Sequence, residues 1–413
     1  VKAVAVRPAG KVSVHDPGAV LALARSLRER SFGRATEKYR ELGTLANLLA
    51  FNAVSALPTR NFAAASFAGA PRLAVEELAA LREVARATCA SCTIGCEHIY
   101  AAGGGRTARV EYENVFALGP LCGVDDPDAV LAASARCDEL GIDTISAGGT
   151  IAWAMECAEQ GLLDAPWLRF GDPGALLRAI EEIGCRDGLG DLLAEGSRLA
   201  AEAVGGGSID LAPQVKGLEL PGYDPRTLQT MALGLAVNAR GADHNRSGAY
   251  EADLSGAVDR FALGEEHVHA AIATEDRAAV MDSLVLCKFL RGVFAEPFEE
   301  WAALLRPVTG WDVDGDELRR TARRIVVAKR LYNLEEGWTR AEDRLPERLL
   351  AEPVPAGDRT VGLDRRQLEL AIDRYYAERG LDRDGEPLPG TLAALGLEPQ
   401  RPPAATPAPL AVG

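Results

Sequence analysis

The chain has little lysine, no surplus of positive charge and no long apolar run. Only six of its 45 basic residues are Lys, which argues against the Lys- and Glu-rich composition of hyperthermophilic proteins. Asp and Glu together number 60, so the net charge is -15. That charge disfavours a general nucleic-acid binder and a polybasic membrane-surface protein. No stretch approaches the roughly 20 apolar residues of a membrane span. We therefore expect neither nucleic acid nor a membrane span among its partners.

The N-terminus lacks both an initiator Met and a secretion signal. The opening VKAVAVRPAG has no apolar core followed by a small-residue cleavage site, so we predict a cytoplasmic protein. It begins directly with a strand-like alternation, and we expect the chain to be part of a longer one. Its 413 residues exceed one ordinary core and predict two domains of about 200 residues each.

Apolar spacing and capping signals predict a mainly α-helical fold with a few short strands near the N-terminus. Asp-Pro pairs predict helix starts at residues 16, 126 and 172. The GGGS at 205 to 208 breaks the pattern, which predicts two multihelical domains over 1–207 and 208–413. The last 25 residues hold six Pro and predict a loose tail. Further elements are expected as strands within 1–15 and at ARVEYE (108–113), and as helices over 75–88, 226–238, 274–290, 316–332 and 364–379.

The cysteines divide into a spaced group and scattered singles. CASCTIGC places Cys89, Cys92 and Cys96 in a Cys-x-x-Cys-x-x-x-Cys run, a spacing that lets thiolates converge on one metal or cluster. Zinc would take these thiolates together with His98, whereas an iron–sulfur cluster would need a distant fourth thiolate. Spacing alone leaves both open. The other five are expected to be buried small hydrophobes, namely Cys122, Cys137, Cys157, Cys185 and Cys287.

Two acidic segments resemble each other across the two halves of the chain. DELGID runs from Asp138 to Asp143, and its first Asp lies in the last turn of a predicted helix, where negative charge is unfavourable. DSLVLC runs from Asp282 to Cys287 and again begins with Asp. A carboxylate can accept the adjacent amino group and ring N–H of a pterin, and one such segment per domain would bind two pterins around one metal. The alternative is two ordinary surface acids.

With these motifs the chain resembles the tungsten-containing aldehyde ferredoxin oxidoreductases. The similar features keep the order of that family over nearly the whole length. They are the CASCTIGC run, EYENVFALGPLCGVDDPDAV, DELGIDTISAGGTIAWAMECAEQGLL, VKGLELPGYDPR, ARGADH, DSLVLC and YNLEEGWTRAEDRLPERLL. Together these motifs are highly specific, although each alone is weak.

The resemblance implies two cofactors shared by the two helical domains. A 4Fe–4S cluster would be held by Cys89, Cys92, Cys96 and Cys287, which favours Cys287 over His98 and leaves His98 as a half-exposed neighbour. A tungsten or molybdenum ion would be held by two pyranopterins, with Mg as a possible further ion between their phosphates. Pterin contacts are implied for Asp138 and Asp143 in one domain, and for Asp282 and Leu286 in the other.

The resemblance also implies the acid–base residues of aldehyde oxidation. Glu113 in EYEN would assist water attack or proton abstraction, and His244 in RGADH would orient or polarise the carbonyl. Arg240 and Arg246 would meet pterin phosphates, since a guanidinium fork suits phosphate oxygens. The alternatives are an exposed strand carboxylate, a satisfied loop histidine and ordinary surface arginines.

The chain departs from the family in two places. The second pterin segment usually has Gly at its fourth position and here has Val285, so we expect a shifted backbone there. The β-rich N-terminal domain that forms the base under the cofactor is not in this sequence, and we expect it as a partner.

The function expected from the resemblance is oxidation of an aldehyde to an acid, or the reverse, with ferredoxin or an iron–sulfur subunit as electron carrier. One alternative is the same cofactor class acting on another substrate, such as an aromatic thioester. Another is a non-enzymatic helical interaction domain stapled by zinc or a cluster. A homo-oligomer is compatible with each of them.

Overall fold

The computed structural model describes residues 4–397, and these form a mainly α-helical structure, as predicted. Asp16, Asp126 and Asp172 cap helices that begin with Pro, which confirms the three Asp-Pro starts. The helices up to residue 207 are α1 (Pro17–Ser31), α2 (Arg34–Leu42), α3 (Asn47–Ala53), α4 (Val75–Arg82), α5 (Tyr112–Leu118), α6 (Pro127–Leu140), α7 (Thr144–Glu159), α8 (Pro173–Cys185), α9 (Leu189–Leu193) and α10 (Gly196–Val204).

The rest of the described chain is also dominated by helices. The expected helices over 226–238, 316–332 and 364–379 appear with small changes of boundary, as α11, α16 and α18. The helices are α11 (Gln229–Val237), α12 (His244–Ser247), α13 (Tyr250–Ser255), α14 (Glu265–Ser283), α15 (Pro297–Thr309), α16 (Gly315–Glu335), α17 (Glu347–Ala351), α18 (Arg365–Arg379) and α19 (Pro389–Leu395).

Of the expected strands in the described residues, the one over 108–113 forms in part, over Thr107–Val110. No strand forms over residues 4–15, although valines alternate there. Three strands form one sheet in the order β1-β2-β3, with His98 opposite both Arg86 and Val110. Two further hairpins are small. The strands are β1 (Glu83–Ala87), β2 (Glu97–Ala101), β3 (Thr107–Val110), β4 (Gln214–Val215), β5 (Leu218–Glu219), β6 (Val354–Ala356) and β7 (Arg359–Val361).

Two expected elements around the cysteine run form only over part of their predicted length. The helix predicted over 75–88 ends at Arg82, because the chain from Glu83 pairs with β2. The strand predicted over 108–113 ends at Val110, and Glu111 caps α5 in a reciprocal arrangement in which its N–H donates to Asn114 Oδ1 (2.9 Å). Glu113 therefore lies in the first turn of a helix and not on a strand.

The predicted helix over 274–290 and the predicted tail also need correction. Helix α14 begins nine residues earlier than expected, at Glu265, and ends at Ser283 because Val285 adopts a left-handed conformation. The start of the expected tail, Pro389–Leu395, is helix α19. Residues 398–413, where the rest of that tail falls, lie outside the described residues.

The main core contains side chains from both sides of position 207. Trp153 and Leu233 are fully buried in it, and a smaller cluster surrounds Trp301. The ion pair of Glu156 with Arg348, whose side chains are 11% and 5% exposed, also connects the two halves. The domain boundary at 207/208 stays a prediction. Within residues 4–397, no helix combines the length and hydropathy that crossing a membrane would require.

Candidate active site

The loop between β1 and β2 carries the cysteine run. Cys92 N–H donates to Cys89 O (3.0 Å), and Ile94 N–H donates to Cys92 Sγ (3.3 Å), so the loop is tightly folded on itself. Cys89 is exposed, while Cys92 and Cys96 are half-buried. The thiols are thus held near the surface by two short strands rather than buried in the core.

Cys287 joins this loop from the other half of the chain. Burial raises the pKa of the Cys96 thiol to about 12, and the charges of Glu111, Cys287 and Cys92 raise it further. Burial also raises the pKa of Cys287, to which Cys92 and Cys89 contribute. Since charges interact appreciably only over short distances, Cys287 lies near the cysteines of the loop.

The number of cysteines matches the ligand requirement of a four-iron cluster, which takes four Cys thiolates. Zinc would take the three thiolates of the loop and one further ligand. Among the described residues, no three His, Cys, Asp or Glu side chains lie close enough together to hold a metal ion. The count of four cysteines is therefore the feature that favours a cluster.

His98 is buried, contrary to the half-exposed position expected. Its side chain is 1% exposed, and Nδ1 lies 3.1 Å from Glu83 Oε2. A Cβ on Gly43, whose φ is +66°, would come within 2.9 Å of the His98 ring, so the glycine allows this close packing. The contact with Glu83 holds Nδ1, whereas Nε2 has no hydrogen-bond partner among the described residues.

The first acidic segment is the end of α6 and the start of α7. Gly141 has a φ of +69°, and its N–H donates to Asp138 O (3.2 Å) while Ile142 N–H donates to Cys137 O (2.9 Å). This is a common helix end that leaves the Asp138 side chain exposed. Asp143 caps α7 by accepting from Ser146 N–H (2.8 Å), so it also has a structural role.

The second acidic segment repeats this geometry at the end of α14. Val285 N–H donates to Asp282 O (3.2 Å), and Leu286 N–H donates to Met281 O (2.8 Å). Val285 has a φ of +56°, a conformation that costs a β-branched residue strain. The backbone therefore keeps the glycine-type turn, and the expected shift at Val285 does not occur.

A groove of about 390 Å³ brings several of the predicted residues together. Asp282 is paired with Arg246 and with Lys288, whose Nζ lies 2.9 Å from Asp282 Oδ1. Both Arg240 and Arg246 contact Asp243. The lining includes Asp143, Leu218, Glu219, Arg240, Asp243, His244, Asn245, Arg246, Asp282 and Lys288. Asp138 and Leu286 are not part of this lining, although each belongs to a segment that reaches it.

Glu113 and His244 form a pair at the edge of this groove. His244 Nε2 lies 3.6 Å from Glu113 Oε1, and their side chains are only 14% and 17% exposed. Glu113 Oε2 accepts from Gly222 N–H (2.9 Å), whereas Oε1 is buried without a hydrogen-bond partner among the described residues. The unpartnered oxygen is available to a bound molecule.

Burial suppresses the charge on both members of this pair. It raises the pKa of Glu113 to about 8, although the Gly222 N–H opposes the rise. It lowers the pKa of His244 to about 4, although Asp243 opposes that fall. At neutral pH the imidazole is therefore uncharged, and most of the carboxyl group is protonated.

The scattered cysteines and several polar residues differ in part from expectation. Cys122, Cys137 and Cys157 are buried as predicted, but Cys185 and Cys287 are exposed. Asp243, Lys288 and Tyr223 were not among the predicted site residues, although Tyr223 lies in VKGLELPGYDPR and Asp243 in ARGADH. The ring of Tyr223 stacks on Tyr250 (4.7 Å) and lies 5.1 Å from the His244 ring.

Cysteines near a charged groove, with a carboxyl–imidazole pair at its edge, are typical of a cofactor-dependent oxidoreductase. The model of the family described as "Aldehyde ferredoxin oxidoreductase, domains 2 & 3" matches residues 22–397. The chain belongs to the aldehyde ferredoxin oxidoreductase family.

Individual relatives agree with this assignment. A tungsten-containing aldehyde ferredoxin oxidoreductase of Pyrococcus horikoshii is 35% identical over 96% of this chain and 67% of its own length. The "Aliphatic sulfonate oxidoreductase, WOR-like subunit" of Pyrococcus furiosus is 28% identical over 70% of this chain and 45% of its own length. The chain thus spans about two thirds of the length of the tungsten-containing relative.

A solved structure shows the same fold. The active site complex BamBC of benzoyl coenzyme A reductase, bound to 1,5-dienoyl-CoA, has a TM-score of 0.75 at 19% identity. The similarity covers 95% of this chain and 67% of the other. At 19% identity, this structural similarity shows the fold of the chain and nothing about its function.

Proposed function

We propose that this chain carries the cofactor-binding and catalytic residues of an aldehyde oxidoreductase. The reaction converts an aldehyde and water to a carboxylic acid, two protons and two electrons. The observation that carries the proposal is the Glu113–His244 pair, whose Glu113 Oε1 is buried, unpartnered among the described residues and 3.6 Å from the imidazole. The relatives named as tungsten-containing enzymes support the substrate class.

The donor groups in the groove suit a tungsten or molybdenum bis-pyranopterin. Arg240, Arg246 and Lys288 supply cationic donors for phosphate oxygens, and Asp143 and Asp282 supply acceptors for pterin N–H groups. Asp138 and Leu286 are proposed to contact the same groups from the two helix ends. When bound, the metal takes up the electron pair, and a 4Fe–4S cluster on the four cysteines passes electrons on singly.

Glu113 is proposed to act as the general base. Its carboxylate form accepts a proton from the attacking water at Oε1, while Gly222 N–H holds the other oxygen in place. Neutral His244 offers a ring N–H to the carbonyl oxygen without bringing a positive charge into the site. Stacking on Tyr223 helps to fix the orientation of the imidazole.

The test is aldehyde oxidation by the anaerobically purified holoprotein, produced with any domain that precedes residue 1 in its gene. We expect wild-type protein to reduce a viologen dye with aldehyde, and Glu113→Gln to lose at least about 100-fold in kcat, since general bases contribute that much. Iron content should stay unchanged, because Glu113 does not touch the thiols.

Glu202→Gln is the matched control, because this glutamate lies exposed on α10 and pairs with Arg198. It should retain full turnover. Retained aldehyde oxidation in Glu113→Gln would remove Glu113 from the mechanism. Wild-type turnover of an aromatic thioester or a sulfonate, with none of any aldehyde, would replace the proposed substrate class.

A further inference from the structure

Helices α1 and α2 form a basic surface on an otherwise acidic chain. Residues 25–41 hold six basic and three acidic side chains, against a net charge of -15 for the whole chain. Arg25, Arg28 and Arg34 are exposed and have no ion-pair partner among the described residues. Exposed cations without acidic partners project a positive potential into the solvent.

This surface lies directly against the cysteine loop. Ser31 Oγ is 3.2 Å from Thr93 Oγ1 within the CASCTIGC run, and Ser31 lies midway between Arg28 and Arg34 in sequence. The backbone also approaches closely, because a Cβ on Gly43 would lie 3.1 Å from Cys96 O. The two arginines therefore flank the point where α1 touches the loop.

The same surface also contacts the segment of the fourth cysteine. Tyr39 on α2 stacks on Phe289, two residues after Cys287, with ring centroids 4.2 Å apart. On its other side, α2 accepts a hydrogen bond at Arg40 O from Arg86 Nη1 on β1 (2.6 Å), so it contacts segments next to both cysteine-bearing parts of the chain. Cys89 and Cys287 are themselves exposed, so the cluster position can be approached from solvent.

Apolar side chains are exposed beside these charges. Phe32, next to Ser31, is 51% exposed, and Leu42, at the end of α2, is 38% exposed. Apolar groups surrounded by charged ones are the usual composition of a transient protein interface. The surface therefore combines positive charge with apolar contact area next to the thiols.

We propose that this surface of α1 and α2 docks an acidic one-electron carrier protein of the ferredoxin type. The inference rests on the proposed function, because it uses the cluster as the exit for electrons. Each docking passes one electron from the reduced cluster to one oxidised carrier, so two carriers are reduced per aldehyde oxidised. Opposite charges would raise the rate of encounter and orient the carrier with its cluster towards Cys89 and Cys287.

The experiment measures carrier binding separately from turnover. The double variant Arg28→Glu/Arg34→Glu of the holoprotein is titrated with a purified ferredoxin of net negative charge, using thermophoresis for Kd and viologen reduction for turnover. We expect Kd to rise about tenfold or more, with a weaker salt dependence, while viologen-linked turnover stays within about twofold.

The matched control is Arg366→Glu/Arg383→Glu, which makes the same charge change at exposed arginines on α18 and the loop after it. This control should bind ferredoxin like the wild type. An unchanged Kd in Arg28→Glu/Arg34→Glu would overturn the docking surface and leave the proposed function intact. A change in oligomeric state alone would overturn it too, because the surface would then be an interface between copies.

Loss of viologen turnover in the double variant would indicate a damaged fold, and Arg28→Gln/Arg34→Gln would then take its place with the same criterion on Kd. Failure of the wild type to oxidise any aldehyde would refute the proposed function. Ferredoxin binding would still be measured in that case, because the titration does not depend on turnover.

Discussion

The pKa values of Glu113 and His244 depend more on where the fold places these side chains than on their residue types. In water a carboxyl group is charged at neutral pH and an imidazole is partly protonated. Here burial raises the pKa of Glu113 to about 8 and lowers that of His244 to about 4. Motif resemblance indicated both residues, but the pattern of the sequence placed Glu113 on a strand. The distance between them and their protonation depend on the starts of two helices, α5 and α12, that are far apart in the sequence.

The pKa values predict the pH dependence of aldehyde oxidation. Only the carboxylate form of Glu113 accepts a proton, and its fraction grows as pH rises through about 8. We therefore expect kcat/KM to increase with pH, with a midpoint near 8 and a plateau above it. His244 should add no transition between about pH 5 and 7, since its pKa is about 4. The measurement is a pH–rate profile with an electron-accepting dye whose reduction does not depend on the buffer. A profile that falls as pH rises through about 8 would contradict the role of Glu113 as the base.

At the scale of elements, helix starts were more predictable than helix ends. Asp16, Asp126 and Asp172 each cap a helix as their sequence indicates, because capping depends on a few neighbouring backbone groups. The end of α14 was not predicted, because Val285 occupies a position that normally requires glycine. The sheet β1-β2-β3 was missed in part, because β1 exists only through its pairing with β2.

Val285 therefore allows a prediction about stability. Replacing it with Gly removes the strain of a β-branched residue at a φ of +56°, and no packing is lost because the side chain is 90% exposed. We expect Val285→Gly to raise the free energy of unfolding by a few tenths to about 1 kcal/mol, since the greater freedom of unfolded glycine offsets part of the gain. Chemical denaturation would measure it. Val285→Ala keeps a Cβ and should gain less; destabilisation by Gly would contradict the strain argument.

At the scale of the whole molecule, the cofactor residues come from distant parts of the chain. The three-cysteine loop follows β1, whereas Cys287 follows α14. The core that holds these elements together includes side chains from both halves, such as Trp153 and Leu233. A cluster bound by all four thiols would therefore tie the two halves together as a covalent link does.

Removal of one thiol tests this arrangement. We expect wild-type holoprotein to contain about four iron atoms per chain, together with one tungsten or molybdenum, and Cys287→Ala to contain fewer iron atoms and to absorb less near about 400 nm. Cys185→Ala is the control, since that exposed cysteine lies on α8 and belongs to no cluster among the described residues. Elemental analysis decides the outcome. About one zinc and no iron in the wild type would exclude the cluster.

The sequence by itself determined the helical character, the capped helix starts and the motifs by which the family is identified. These depend on local interactions and on residue order, which are written directly in the chain. The tertiary structure alone decided that His98 is buried beside Glu83, and that Asp243 and Lys288 share the groove with Asp282. It also set the protonation of Glu113 and His244, because burial is created by neighbours far away in the chain.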